Sequence, residues 1–107
     1  SSLGMREAIS ERGLPYMMYG ACVDESDAIP NQVPASNLID YDTMVYIVIK
    51  EFIDGQFTTG TTWIGNAENA TGIAMADWVD DDIRALVAEA EAKILSGEIV
   101  PKTTYQE

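Results

Sequence analysis

Three carboxylates stand almost side by side in "VDESD", residues 23–27: Asp24, Glu25 and Asp27. They end a run, Tyr16 to Val23, that carries no charge at all. An ionised carboxylate has two acceptor oxygens and can grip a vicinal diol through paired hydrogen bonds. In open α/β sheets, solutes bind in the crevice outside the carboxyl ends of the strands. An apolar strand that delivers Asp24 at its exit is therefore well placed to present a carboxylate to a small solute. The same residue types also terminate strands and cap turns, and from side-chain chemistry alone both readings stand.

Other chemistries find less support. The chain has no His and a single Cys, Cys22, which removes Ser-His-Asp and Cys-His arrangements and the usual zinc ligand sets. Cys22 lies inside the apolar run and reads as a small core residue. "DESDAIPNQVPA" places oxygen ligands at its start but lacks the glycine and the closing glutamate of a calcium-binding loop. The aspartates of "VDDD", Asp80 to Asp82, suit the positive end of a helix. Catalysis would have to run on carboxylates such as Asp24 with Asp27, and no second polarised group accompanies them. No enzyme is expected, and no cofactor is implied. Trp63 and Trp78 could stack on a planar solute, although aromatic residues more often serve packing. The four threonines Thr58, Thr59, Thr61 and Thr62 read as strand propensity.

Composition bounds the partners. Eighteen acidic residues oppose six basic ones, for a net charge of −12. Phosphate backbones require a basic footprint, so nucleic acid is not an expected partner, and anionic lipid is disfavoured on the same ground. Hydrophobic residues make up 47% of the 107 positions, enough to build a packed core. No apolar run approaches the ~20 residues of a transmembrane helix.

The elements that must hold Asp24 follow from periodicity. Met5, Ala8 and Ile9 share one face of a helix over residues 5–12 that Gly13 stops. Tyr16 to Val23 reads as a strand, and "ESDAIPNQVPAS" as loop. A short strand is expected near Ser36 to Ile39. Asp42 is the expected N-cap of the helix "TMVYIVIKEFIDG", whose apolar residues nearly encircle it and predict burial on most sides. "FTTGTTWIG" reads as a strand, as does Gly72 to Met75. Ile83, Leu86, Val87, Ala90 and Ile94 recur at helical spacing in "VDDDIRALVAEAEAKILSGE", the clearest element of the chain. This alternation predicts a layered α/β fold with a sheet that is at least partly parallel.

The pieces "GMREAISERG", "ACVDESD", "PNQVPASNLIDYDTMVYIVIKEFIDGQFTTGTTWIG", "TGIAMAD" and "VDDDIRALVAEAEAKILSGEIVP" occur in an order and spacing that run from Gly4 to Pro101. In this the sequence resembles the C-terminal part of the basic membrane protein family of ABC-transporter substrate-binding lipoproteins, the PnrA/Med-like group. The resemblance implies a single α/β segment, residues 1–107, from a longer, two-lobed protein of the type I periplasmic-binding-protein fold. Such proteins close around a solute and hand it to a membrane permease, and known members take up purine nucleosides. By the same resemblance the protein is extracytoplasmic, as a membrane-anchored lipoprotein or a periplasmic protein. The carboxylate at position 24 is then expected to hold the ribose hydroxyls, with Glu25 and Asp27 as turn residues. The chain departs from the family pattern in two places. Its characteristic lysine falls at Ile39, and the glycine-rich loop before the first helix is reduced to Ser1, Ser2, Leu3 and Gly4. A sensory or interaction domain of the same fold is the alternative. A segment cut from its partner elements is also expected to expose strand edges and apolar faces, and so to self-associate.

Overall fold

The computed structural model describes residues 2–13 and 15–101, so Ser1 lies outside the described residues, while Ser2, Leu3 and Gly4, expected as a shortened loop, belong to the first helix. The element order is α1 (Ser2–Arg12), β1 (Gly20–Cys22), β2 (Ala35–Ile39), α2 (Tyr41–Ile53), a short 3-10 turn (Asn66–Glu68), β3 (Thr71–Met75) and α3 (Asp81–Leu95). The strands form one sheet in the order β1-β2-β3. β1 runs parallel to β2 with Gly20 opposite Ser36, and β3 runs antiparallel with Ala35 opposite Met75 and Ile39 opposite Thr71. The expected α/β class with a partly parallel sheet is thus what the chain forms.

Four expectations need correction. The strand from Tyr16 to Val23 shrinks to Gly20–Cys22. In the parallel register, residues before Tyr19 would face Pro34, which has no N–H to donate to a ladder. The chain instead sends the Met18 N–H to the Gln32 carbonyl, 2.9 Å away. At the other end Cys22 adopts φ 71°, in the left-handed region, and ends the strand; expected as a small core residue, it is exposed.

The N-cap of α2 is Asp40, not Asp42. Its carboxylate accepts from the Thr43 backbone N–H at 3.0 Å and the Thr43 hydroxyl at 2.7 Å, the reach of an N-cap side chain to the third helical residue. Asp42 falls inside the first turn.

Residues 57–65 form no strand. Strand propensity is a weak preference that context overrides, and this stretch pairs with neither outer edge of the sheet. Trp63 ends up 81% exposed.

The fourth correction concerns α2, which contains no buried residue. Val45, Tyr46, Ile49, Phe52 and Ile53 are all exposed. A three-stranded sheet with strands of three to five residues is too small to cover a helix that is apolar on nearly every side. The helix stops behave as read: Gly55 (φ 69°) and Gly97 (φ 77°) take the left-handed conformation that ends α2 and α3.

The buried cluster is small: Ile9 of α1 packs with Met18, Ile29 and Val33 of the loops flanking β1. The radius of gyration is 17.2 Å, where a compact chain of this length has about 13 Å. The accessible surface is 8448 Å², against about 5,900 Å² for a folded monomer of this mass. The described fold is therefore open, with its apolar faces only partly covered.

Candidate functional site

Asp24 comes to its position through a reversal. After the left-handed Cys22 the chain turns back over the sheet rather than continuing past its end. The Glu25 N–H donates to the Ser36 hydroxyl at 3.0 Å, and the Ala21 N–H donates to Glu25 Oε2 at 3.3 Å. Arg6 of α1 lies 3.5 Å from Glu25 Oε1. Glu25 is buried and Ser36 only 1% exposed. Gly20 makes this approach feasible: a Cβ there would overlap Ser36 Oγ and stand 2.8 Å from Ser36 Cβ and 3.0 Å from Glu25 Cβ.

The reversal sets Asp24, Ser26 and Asp27 beside Met75, Ala76, Asp77 and Trp78, around a concavity of about 300 Å³. This is the low end of the range for small-molecule sites. Ala76 to Trp78 follow β3 directly, so the far wall is the exit of an antiparallel strand, and the concavity lies at the amino ends of the parallel pair β1 and β2 rather than at their carboxyl ends as expected. That wall is held as well. The Ala76 N–H donates to the Pro34 carbonyl at 3.0 Å and the Val79 N–H to the Ala76 carbonyl at 3.0 Å. The Arg84 guanidinium of α3 donates to the Val79 carbonyl at 3.1 Å and also to the Ala76 carbonyl.

Asp24 Oδ1 accepts from the Ser26 N–H at 2.9 Å. This bond, together with the Ser26 hydroxyl, holds the Asp24 carboxyl below its ordinary value. The group is therefore ionised at neutral pH and purely an acceptor, with lone pairs remaining on both oxygens. Such a group can take two hydroxyl donors from one solute. Trp78 is 39% exposed and lines the same concavity. Among the described residues no group of three His, Cys, Asp or Glu side chains could hold a metal ion.

Of the residues singled out in the sequence, Asp24, Asp27 and Trp78 share the concavity, while Trp63 does not. Glu25, read as a turn residue, is instead buried and ion-paired. Asp77 was missed. The signal for it was present, since it follows the apolar β3 much as Asp24 follows the apolar run at β1. Ile39, where the family lysine would stand, is opposite Thr71 at the start of β3, whereas the concavity lies past Met75 at its end. Those ends are four residues, roughly 13 Å, apart. Ile39 lines a different, apolar space of about 650 Å³ between the sheet and α3, with Leu38, Thr71, Val87, Ala90 and Ile94. A neighbouring space of about 410 Å³, lined by Tyr19, Ile73, Met75, Ile83 and Val87, continues it. These strips have few convergent polar groups, and their form is that of a sheet face awaiting more cover.

No protein-family model matches the sequence, and no curated protein matches it. Solved structures do. One is a crystal structure of an ABC transporter system solute-binding protein from Aeropyrum pernix K1, with a TM-score of 0.72 and 23% identity over 97% of this chain and 38% of that one. Another is a transcriptional activator of the comK gene from Bacillus halodurans, with a TM-score of 0.75 and 19% identity over 91% of this chain and 34% of that one. The chain thus spans less than two-fifths of the length of either. At these identities the likeness establishes the fold: an α/β segment of the periplasmic-binding-protein kind.

Proposed function

We propose that the chain is the C-terminal portion of a two-lobed solute-binding protein of the basic membrane protein family, serving an ABC permease on the extracytoplasmic side of the membrane as a lipoprotein or periplasmic protein. The solute is a nucleoside or a related small polar molecule. Asp24 accepts hydrogen bonds from two adjacent hydroxyls of the sugar, and Trp78 supports the planar portion. Binding and release need no chemical step, so the protein is not an enzyme. The observation that carries this reading is the juxtaposition of an ionised Asp24 with Trp78 in one concavity, on a fold shared with a solute-binding protein.

A second reading, a sensory or interaction role without transport, is favoured by the similarity to the Bacillus halodurans activator and by Ile39 in place of a cationic donor.

The test is a thermal-shift screen of the complete two-lobed protein against nucleosides, sugars and amino acids, in which a bound solute raises the melting temperature. Asp24→Ala is then expected to weaken nucleoside binding roughly tenfold to a hundredfold, the range for losing hydrogen bonds to a charged group. Unchanged affinity by calorimetry would remove Asp24 from the site.

A further inference from the structure

We propose that Ser36 and Glu25 are positioning residues, a buried lock that fixes where the Asp24 carboxylate stands at the concavity. The proposal rests on the reading of Asp24 as the solute contact, but its geometry is independent of which solute binds. Asp24 sits between a residue pinned to the sheet and a residue forced into an unfavourable backbone region. On its C-terminal side the Glu25 N–H is tied to Ser36 Oγ at 3.0 Å, and Ser36 belongs to the middle strand β2, the best-anchored strand of the sheet. On its N-terminal side Cys22 holds φ 71°. A non-glycine residue in the left-handed region is strained and persists only where the surroundings over-determine it.

The surroundings here do so. The Glu25 side chain folds back to accept from the Ala21 N–H at 3.3 Å and to pair with Arg6 at 3.5 Å. Its carbonyl accepts from the Ala28 N–H at 2.9 Å and closes the next turn. Gly20 leaves the vacancy into which the Ser36 and Glu25 side chains fit. A hydroxyl buried in the middle of a sheet is costly unless hydrogen-bonded, so Ser36 is better explained by what it holds than by packing. The Asx turn between Asp24 and Ser26 then forms over an anchored backbone, and the exposed carboxylate stands at the concavity that Trp78 also lines.

The 107-residue chain allows a test that needs no solute. Carboxyl carbons are followed by NMR through an acid titration in the wild type, Ser36→Ala and Glu25→Gln. In the wild type, the hydrogen bonds from Ser26 and Thr43 are expected to make Asp24 and Asp40 titrate below the ordinary aspartate range. Asp40, bonded to Thr43 at the start of α2, is the internal control. Ser36→Ala is expected to move Asp24 up into the ordinary range while Asp40 stays low. Glu25→Gln is expected to move it in the same direction by less, because the amide oxygen can still accept from Ala21. An unmoved Asp24 in Ser36→Ala, with Asp40 also unmoved, overturns the proposal. If both aspartates rise in Ser36→Ala, that variant has unfolded and Glu25→Gln decides: Asp24 rising alone supports the lock, and Asp24 unmoved overturns it. An Asp24→Ala variant that keeps its nucleoside affinity overturns the solute reading, whatever the titration shows.

Discussion

The turn that leaves β1 is polar in sequence, with Asp24 and Asp27 exposed and Glu25 buried between them and tied by hydrogen bonds, whereas α2 is the most apolar helix of the chain and has no buried residue. Glu25 and Ser36 are engaged by hydrogen bonds and an ion pair, while Phe52, the phenylalanine of α2, is 70% exposed. The difference separates two sources of order. The turn is determined by bonds within this segment, so its geometry is complete here. The apolar surface of α2 is left uncovered by every element that the described residues supply. The open spaces along α3 and the excess of accessible surface say the same of the sheet.

The sharpest way to break this contrast is Gly20→Ala. A methyl group there collides with Ser36 and Glu25, and overpacking of a filled site costs about 1–3 kcal/mol. Denaturant unfolding is expected to show a loss in that range. A chain with unaltered stability would mean that the turn is looser than its hydrogen bonds imply.

The counterpart on α2 is Phe52→Glu. Phe52 is exposed apart from an edge-on contact with the Phe57 ring, centroids 6.1 Å apart, so the stability of the isolated chain should fall by only about 0.5–1.5 kcal/mol. Self-association should change more. Both edges of the sheet, β1 and β3, have one neighbour each, and the apolar side chains of α2 form a further adhesive surface. Sedimentation is expected to show concentration-dependent oligomers in the wild type. Removing the burial of one Phe, roughly 1.5–3 kcal/mol, should weaken them about tenfold or more. A strictly monomeric wild type at high concentration would contradict the exposure on which the comparison is built.

How far the sequence revealed these two regions follows from what each depends on. Helical periodicity and glycine stops located α2 and α3 because they are local signals: Gly55 and Gly97 end the helices by their own backbone conformation. Burial was not local. An apolar helix predicts a cover, and nothing in residues 41–53 says whether that cover lies within the same chain. Thr58 to Trp63 read as a strand for a similar reason, since propensity is written in the residues but the pairing edge is not. At the site, Asp24 was legible as a carboxylate following an apolar run. Its actual approach to Trp78 depends on the reversal at Cys22, on Gly20 opposite Ser36 and on the antiparallel return of β3. These are long-range facts, and for that reason Glu25 passed as a solvated turn residue.

The start of α2 gives a smaller and pH-dependent test. Asp40 accepts two hydrogen bonds from Thr43, which lower its carboxyl below the ordinary value near 3.8. Its folded form therefore favours the ionised state more than the unfolded chain does. The stabilisation is fully present above the ordinary aspartate range and is lost as pH falls through the lower, folded value. Asp40→Ala is expected to lower the melting temperature at neutral pH by about 5 °C, the usual consequence of losing an N-cap. The gap between wild type and variant should close in acid. A gap that stays constant with pH would show that the cap does not act through its charge.

The smallest effect is expected at Cys22, where the two kinds of order can be weighed against each other. Relieving a left-handed conformation at a residue with a Cβ gains about 1–2 kcal/mol. Placing glycine there gives back about 0.5–1 kcal/mol through the greater freedom of the unfolded chain. Cys22→Gly should therefore stabilise the chain by a net ~0.5 kcal/mol, read as a rise of a few degrees in melting temperature. It should also leave the low titration of Asp24 in place, since Ser36 and Glu25 still hold the residue that follows. If instead the variant is destabilised, the thiol side chain contributes packing that its exposure does not suggest. If Asp24 loses its low titration while stability rises, the strained backbone itself, rather than the hydrogen bonds to Ser36 and Ala21, is what aims the carboxylate.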